Sequence, residues 1–224
     1  MTYNIICRDS IKWLSEQMPS SIGNIITGIP DLSELPLNND INKYLDFINN
    51  ICNLIFDKVD QSGYCMFVQT DRKINKQWID KSYYITNSAL NNGYKMIWHK
   101  IVCRRDVGKS DLYCPTYSHV LCYSKNGTTG SSFPDVFPVG KKLYSNATPQ
   151  NVADELVKFV KQKSKSIGKY QYDVVDPFIG KGTIALSCLK YDLNVLGIDI
   201  DKDQCDDALK NLSLIGKKIH LQTL

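Results

Sequence analysis

The chain lacks the signals that export or membrane insertion would require. Its first residues contain no apolar signal-peptide core, and no stretch approaches the roughly 20 apolar residues of a membrane helix. Its eight cysteines include no C-x-x-C pair, which favours reduced thiols over a disulfide framework. We therefore expect a cytoplasmic or nuclear protein that makes no membrane contact.

Strong charge and internal repeats are also missing. The formal net charge is +4 and charged residues make up 22% of the chain, so a polyanionic partner is permitted but not required. No period typical of a solenoid or propeller occurs. A length of 224 residues suits one domain with a full core, and we predict a single domain over residues 1–224.

Paired metal-ligand spacing is absent as well. One loose cluster could hold zinc: His99, Cys103, Cys114, His119 and Cys122. Zinc ligands usually come in tightly spaced pairs, and Cys103 and Cys122 lie in apolar, strand-like runs where cysteine packs as a small hydrophobe. We predict no metal, with a zinc site as the alternative.

Apolar periodicity predicts helices and strands in alternation. Helices are predicted over residues 9–17, 42–57, 78–92, 150–165, 183–191 and 202–214. Strands are predicted over residues 24–29, 64–69, 95–103, 118–123, 173–176 and 194–199, with a last strand over 218–222. This alternation indicates an α/β fold with a mostly parallel sheet and helices on both faces.

The most informative segment is a strand, a glycine loop, a helix and a second strand over residues 172–212. Gly180 and Gly182 allow a sharp turn and close approach of a ligand, and the helix that starts at Thr183 favours an anionic group. Asp199 ends the second strand, at a spacing that suits hydrogen bonds to ribose hydroxyls. Lys181 is followed by glycine, which excludes the phosphate-loop pattern.

The run Asp176-Pro177-Phe178-x-Gly180-x-Gly182-Thr183 resembles the D-P-F-x-G-x-G-T motif of S-adenosylmethionine-dependent amino-methyltransferases of class β, in which the motif order is circularly permuted. The resemblance covers nearly the whole chain and follows the family's order. It includes the opening at Asn4 to Pro30, the hairpin at Trp98-His99-Lys100 and Ser118 to Tyr123, and the segment Thr148-Pro149-Gln150.

The resemblance implies a Rossmann-like methyltransferase fold with an antiparallel hairpin. It also implies a catalytic and substrate half over residues 1–146 and a cofactor half over 147–224. S-adenosyl-L-methionine is the implied cofactor, with Asp199 at the ribose and Asp9 near the adenine. The alternative for Asp9 is a helix N-cap. The remaining implied cofactor residues are Asp176, Pro177, Phe178, Gly180, Gly182 and Thr183.

The catalytic loop departs from the family's pattern. Class β enzymes carry [DNS]-P-P-[YFW] after the catalytic strand, whereas this chain has Gly28-Ile29-Pro30-Asp31. The departure weakens the expectation of exocyclic-amine chemistry. By its position, the loop should still place Thr27, Pro30 and Asp31 at the methyl group, with Asp31 as general base or orienting group. The alternative is that Asp31 is a turn residue.

Basic and aromatic residues follow the next strand and the hairpin. The predicted substrate contacts are Asp71, Lys73, Trp78, Lys81, Lys100, Arg104 and Arg105. Basic residues among aromatics suit looped or single-stranded RNA. The alternatives are a solvated rim, and Trp78 as a core anchor of the following helix.

Only residues 125–146 lie between the hairpin and the cofactor half. This segment is too short to form a domain that recognises a nucleotide sequence. We therefore predict an RNA methyltransferase, with tRNA as one candidate substrate, or one whose protein partner supplies target recognition. The alternatives are a DNA, protein or small-molecule methyltransferase, and an inactive cofactor-binding subunit.

Overall fold

The structure is a computed structural model that describes residues 2–130 and 133–222, with side chains up to residue 214. Eight strands form one sheet in the order β1-β10-β9-β2-β3-β7-β6-β8. In chain order these are β1 Tyr3–Cys7, β2 Ile25–Thr27, β3 Cys65–Gln69, β6 Lys95–Cys103, β7 Tyr117–Ser124, β8 Val136–Phe137, β9 Val174–Asp176 and β10 Val195–Asp199. A separate hairpin is formed by β4 Arg72–Ile74 and β5 Gln77–Ile79.

Helices cover both faces of the sheet. They are α1 Ser10–Glu16, α2 Ile41–Lys58, α3 Lys81–Asn91, α4 Gln150–Lys163, α5 Thr183–Lys190 and α6 Lys202–Gln222. Side chains along β3 alternate between the two cores, as the pleat requires. Cys65 and Phe67 pack with α1, α2 and α3, whereas Met66 packs with α4 and α5. In the described part of the chain, no helix is long and apolar enough to cross a membrane.

The strand directions confirm the predicted fold class. β1, β10, β9, β2 and β3 run parallel to one another, while β7 is antiparallel to both β3 and β6. The chain order reverses between β9 and β2, which meet at Ile25 and Val175. From this junction one βαβ unit runs through α5 to β10, and another runs through α2 to β3. A ligand crevice is expected beyond the carboxyl ends of strands at such a reversal.

Two sequence predictions of secondary structure are wrong. Residues 78–80 do not begin a helix, because Asn75 and Lys76 adopt φ of 49° and 67° and close a two-residue hairpin turn between β4 and β5. Helix α3 starts only after Asp80, which caps it by accepting a hydrogen bond from the Tyr83 amide. The predicted strand over 218–222 is the continuation of α6, since one glycine at position 216 is too small a penalty to end a helix.

Candidate active site

A cavity of about 670 Å³ lies at the carboxyl ends of β2, β3, β9 and β10. The cofactor loop after β9 and the loop after β2 both line it, as the reversal of strand order requires. The two strands are joined there by the Thr27 hydroxyl, which donates to Asp176 Oδ1 at 2.7 Å. The volume falls within the range of small-molecule sites.

The glycine loop is held in the shape that the sequence predicts. Gly180 and Gly182 adopt φ of 51° and 88°, in the left-handed region that favours glycine. A Cβ at Gly180 would collide with the Tyr144 hydroxyl, so this glycine is also needed for close packing. The Gly180 amide donates to Asp199 Oδ2 at 3.0 Å, which ties the loop to the end of β10.

Two carboxyl groups at the loop have raised pKa values. Burial raises the pKa of Asp176 to about 7, and the nearby Asp199 adds to the shift. Burial also raises the pKa of Asp199, whose Oδ1 accepts from the Asp201 amide at 3.0 Å. Both side chains line the cavity, so a cationic ligand there would favour their ionised forms.

Several features of the cavity fit S-adenosylmethionine. Thr183 Oγ1 and Gln204 Oε1 are buried beside the cavity without a hydrogen-bond partner among the described residues. A bound polar ligand would satisfy such atoms. Phe178 offers an aromatic face, and Asp199 stands at the strand end expected for a ribose-binding carboxylate. The residues present therefore suit the cofactor implied by the glycine loop.

The remaining predicted cofactor residues are placed in two ways. Asp9 caps α1 by accepting from the Ile11 and Lys12 amides, which confirms the alternative interpretation. It also lines the cavity, and its position near the adenine stays a prediction. Pro177 and Gly182 do not line the cavity. The Pro177 carbonyl accepts a hydrogen bond from the Ser10 hydroxyl, and a Cβ at Gly182 would meet Ala208.

The loop after β2 is fixed by residues that sequence reasoning missed. Gln69 binds the backbone of Ile29 twice, accepting from its amide at 2.8 Å and donating to its carbonyl at 3.0 Å. The Tyr44 hydroxyl donates to the Pro30 carbonyl at 3.0 Å. The carbonyls of Ile29 and Pro30 are thus already engaged. The sequence signal that could have identified Gln69 as a site residue is its position as a polar residue at the end of β3.

Asp31 is not the free carboxylate that a general base would present. Its Oδ2 accepts from Arg72 Nε and Nη2, each at 2.8 Å, and its Oδ1 is bound by the Lys81 ammonium. The side chain lines the cavity but is 19% exposed. Because cations bind both of its oxygens, Asp31 serves to fix the position of Arg72. Thr27 is likewise buried against Asp176 and does not line the cavity.

Lys81 and Lys100 were expected on a phosphate-binding rim, and the structure contradicts this. Lys81 is fully buried with its ammonium on Asp31. Lys100 is 3% exposed, and its ammonium donates to the Phe133 carbonyl and to Asp135. A long side chain in a strand or helix can place its charge inside the protein when a partner is available there. Neither ammonium can reach a phosphate.

Asp71 is also buried and does not face substrate. It accepts from His119 Nε2 at 3.1 Å, from Trp78 Nε1 at 3.3 Å and from the Lys81 amide at 2.9 Å. Trp78 is 45% exposed on the β4–β5 hairpin, with the Lys73 ammonium 5.6 Å from its ring centre. The alternative, Trp78 as a core anchor of the following helix, is therefore wrong. Lys73 and Trp78 are both exposed on the hairpin but do not line the cavity, so their contact with substrate stays a prediction.

Arg104 lines the cavity, whereas Arg105 lies outside it and pairs with Asp111. The segment after β8 contributes further lining residues that sequence reasoning missed, namely Lys142, Tyr144 and Asn146. The Asn146 side-chain amide donates to Glu34 Oε1 at 3.0 Å, so this segment reaches across the cavity to the loop after β2. Its residues carry no motif, and only packing brings them to the site.

The loose histidine and cysteine cluster forms no ligand set in the structure. His99 Nε2 and His119 Nδ1 are 2.9 Å apart and share a hydrogen bond. Across residues 2–130 and 133–214, no three His, Cys, Asp or Glu side chains converge in a way that could hold a metal ion.

The fold and the site together define an S-adenosylmethionine-dependent methyltransferase. No protein-family profile matches the chain. A curated relative, the type II methyltransferase M.HpaI of Haemophilus parainfluenzae, is 24% identical over 95% of this chain and 74% of its own length.

Three solved structures share the fold. PvuII DNA methyltransferase, described as cytosine-N4-specific, aligns with a TM-score of 0.72 at 11% identity over 93% of this chain and 86% of its own. The Thermus thermophilus protein TTHA0409, in complex with S-adenosyl-L-methionine, gives 0.69 at 15% identity over 94% of each chain. The complex of M1.HpyAVI with the same cofactor gives 0.61 at 15% identity over 94% of this chain and all of its own.

Proposed function

We propose that the chain methylates a nucleotide base in DNA. The observation that carries this proposal is the cavity that joins the glycine loop after β9 to the loop after β2, with cationic side chains at its edge. S-adenosylmethionine supplies the methyl group. DNA is preferred because PvuII methyltransferase, which shares the fold, is named as a DNA enzyme. The predicted preference for RNA finds no support among these relatives, and neither does a protein partner.

The permuted class β order is part of the proposal. Its support is the chain order of the elements: the catalytic strand β2 comes first, the β6–β7 hairpin follows, and the cofactor strand β9 comes near the end. Residues 1–146 would then supply the substrate side of the cavity and residues 147–224 the glycine loop.

The chain's own residues would act mainly by positioning. Gln69 and Tyr44 fix the backbone of Ile29 and Pro30, so the loop after β2 is rigid at the cavity wall. Asp176 and Asp199 hold the cofactor side through charge and hydrogen bonds. Rigid placement of two reactants can by itself supply several kcal/mol of the barrier reduction.

A second candidate is a cofactor-binding subunit that supports another methyltransferase. The observation that favours it is the loop Gly28 to Asp31, in which Asp31 is bound by two cations and the family's polar and aromatic residues are replaced.

Transfer of labelled methyl from S-adenosylmethionine to DNA, RNA and protein fractions distinguishes these functions. We expect label in DNA. Asp199→Ala should weaken cofactor binding by about 1.5–3 kcal/mol, through loss of charged hydrogen bonds. The matched control is Asp203→Ala, which removes an exposed carboxylate in the first turn of α6.

Label in RNA or protein instead of DNA would contradict the substrate class. Cofactor binding without label in any fraction would favour the supporting subunit.

A further inference from the structure

Asp31, Arg72 and Arg104 line the cavity, and Arg104 contacts Cys114. Asp31 binds Arg72, and Arg72 also contacts the Cys114 thiol. The same sulfur accepts from Arg104 Nη1 at 3.1 Å. Arg72 comes from β4, Arg104 follows β6, and Cys114 lies in the loop before β7. Three separate segments therefore bring two guanidinium groups to one sulfur atom.

Lys142 lines the same cavity. Burial and the positive charge of Arg104 lower the pKa of Lys142. The Lys142 ammonium contacts the Ser145 carbonyl at 3.3 Å. Both Arg104 and Lys142 line the cavity that holds the glycine loop.

Carboxylates line the cavity, but among the described residues none of them pairs with Arg104 or Lys142. The ion pairs nearby join Asp31 to Arg72 and Lys81, and Arg105 to Asp111. Two cations that line one cavity without an ion-pair partner favour an anion there, because binding one reduces the repulsion between them.

We propose that Arg104 and Lys142 bind one phosphodiester of the nucleic acid, beside the nucleotide that enters the cavity, and that Arg72 supports them through Cys114. The inference rests on the proposed function for its ligand. A phosphodiester fits because it has one negative charge and two exposed oxygens, which a guanidinium and an ammonium can share. Such a site also explains why Arg104 and Lys142, which are far apart in sequence, line the same cavity although neither pairs with a carboxylate among the described residues.

The main test measures binding of labelled duplex DNA over a series of salt concentrations. The double variant Arg104→Gln and Lys142→Gln should bind at least 10-fold more weakly, and the slope of log affinity against log salt should fall by about 1. Arg104→Lys should retain most of the affinity because it keeps the charge. The matched control is Lys169→Gln, which removes an exposed charge near Ser62, before β9 and at the opposite end of the strands.

A second arm uses inorganic pyrophosphate, which carries phosphate oxygens without a base. It should raise the melting temperature of the wild-type and Lys169→Gln proteins more than that of the double variant. If DNA binds and neither the slope nor this stabilisation separates the double variant from the control, the phosphate site is refuted while DNA as substrate stands. If pyrophosphate separates them and DNA does not bind, the site stands and the DNA assignment fails.

Discussion

Asp176 combines deep burial with a position at the cofactor loop. Its Oδ1 accepts from the Thr27 hydroxyl and from the Phe178 amide at 3.1 Å, yet burial still raises its pKa to about 7. In the unfolded chain the pKa of an aspartate is about 3.9. The folded protein thus binds this proton more tightly than the unfolded chain does. This difference stabilises the folded protein fully below about pH 4, and the stabilisation is lost as pH rises through about 7.

Asp176→Asn should therefore have opposite effects on stability and on cofactor binding. At about pH 8 we expect its melting temperature to rise by roughly 2 °C or more, because a buried charge is removed. Cofactor affinity should fall, because the ionised carboxylate attracts the cationic cofactor. In the wild type, affinity should increase between about pH 6 and pH 8, and in the variant this increase should be absent.

Calorimetric titration at several pH values measures the affinity, and thermal unfolding of the cofactor-free protein measures the stability. A wild-type affinity that does not vary across this pH range would show that Asp176 does not act on the cofactor's charge.

At the scale of elements, Asp31 and Lys81 connect the loop after β2 to the start of α3. The Lys81 side chain is 1% exposed and burial lowers its pKa, which Asp31 opposes. Removing one partner of a buried pair leaves the other charge without compensation, which is far more destabilising than removing both. The pair therefore fixes the position of the loop after β2 relative to α3.

We expect Asp31→Asn to lower the free energy of unfolding by about 3 kcal/mol, because Lys81 loses its counterion. The double variant Asp31→Asn and Lys81→Met should recover at least about 1 kcal/mol of this loss, as interacting residues do in a double-mutant cycle. Urea unfolding of the wild type, the two single variants and the double variant measures both quantities. An Asp31→Asn protein as stable as the wild type, with methyl transfer reduced about 100-fold, would instead restore Asp31 as the proton acceptor.

At the scale of the whole molecule, the sequence-distant parts of the sheet meet at Asn24. Its buried amide donates to the Asp173 carbonyl at 2.8 Å and to Ser166 Oγ at 3.0 Å, and its oxygen accepts from the Tyr64 amide at 3.0 Å. One side chain thus joins the amino ends of β2, β3 and β9 at the reversal of strand order. This junction holds β2 beside β9 from the end of the strands opposite to the cavity.

Asn24→Ala should lower the free energy of unfolding by about 2–4 kcal/mol, because buried donors and acceptors lose their partner. Asn92→Ala is the matched control. The Asn92 side-chain amide donates to Asn53 and to the Ser88 carbonyl at a more exposed place, so its removal should change the free energy of unfolding by about 1 kcal/mol or less. Equal losses in the two variants, measured by urea unfolding, would remove Asn24 from its role at the junction.

All three tryptophans precede residue 146, so fluorescence follows the first part of the chain. Calorimetric and fluorescence transitions of the wild type should coincide, as in a single cooperative unit. Separate transitions would mean that residues 1–146 and 147–224 fold independently.

Much of the fold could be predicted from local patterns. Apolar periodicity located most strands of the large sheet and the helices that cover it, but not β1. The hairpin β6–β7 was found with nearly its observed bounds. The β4–β5 hairpin was missed because Asn75-Lys76 is a weak turn signal beside Asn-Gly. The two-residue strand β8 was missed because it exists only through pairing with Ile101 and Val102.

Local chemistry determined the cofactor side of the site. Gly180 and Gly182 prescribe a backbone shape by lacking a Cβ, and Asp199 ends a strand, so each acts through its own neighbourhood. Tertiary structure alone decided the substrate side. Whether Lys81 or Asp31 offers its charge to a ligand depends on which partner lies within hydrogen-bonding distance, and those partners come from segments many residues away. A charge is visible in a sequence, but its neutralisation by a distant residue is set only when the chain packs.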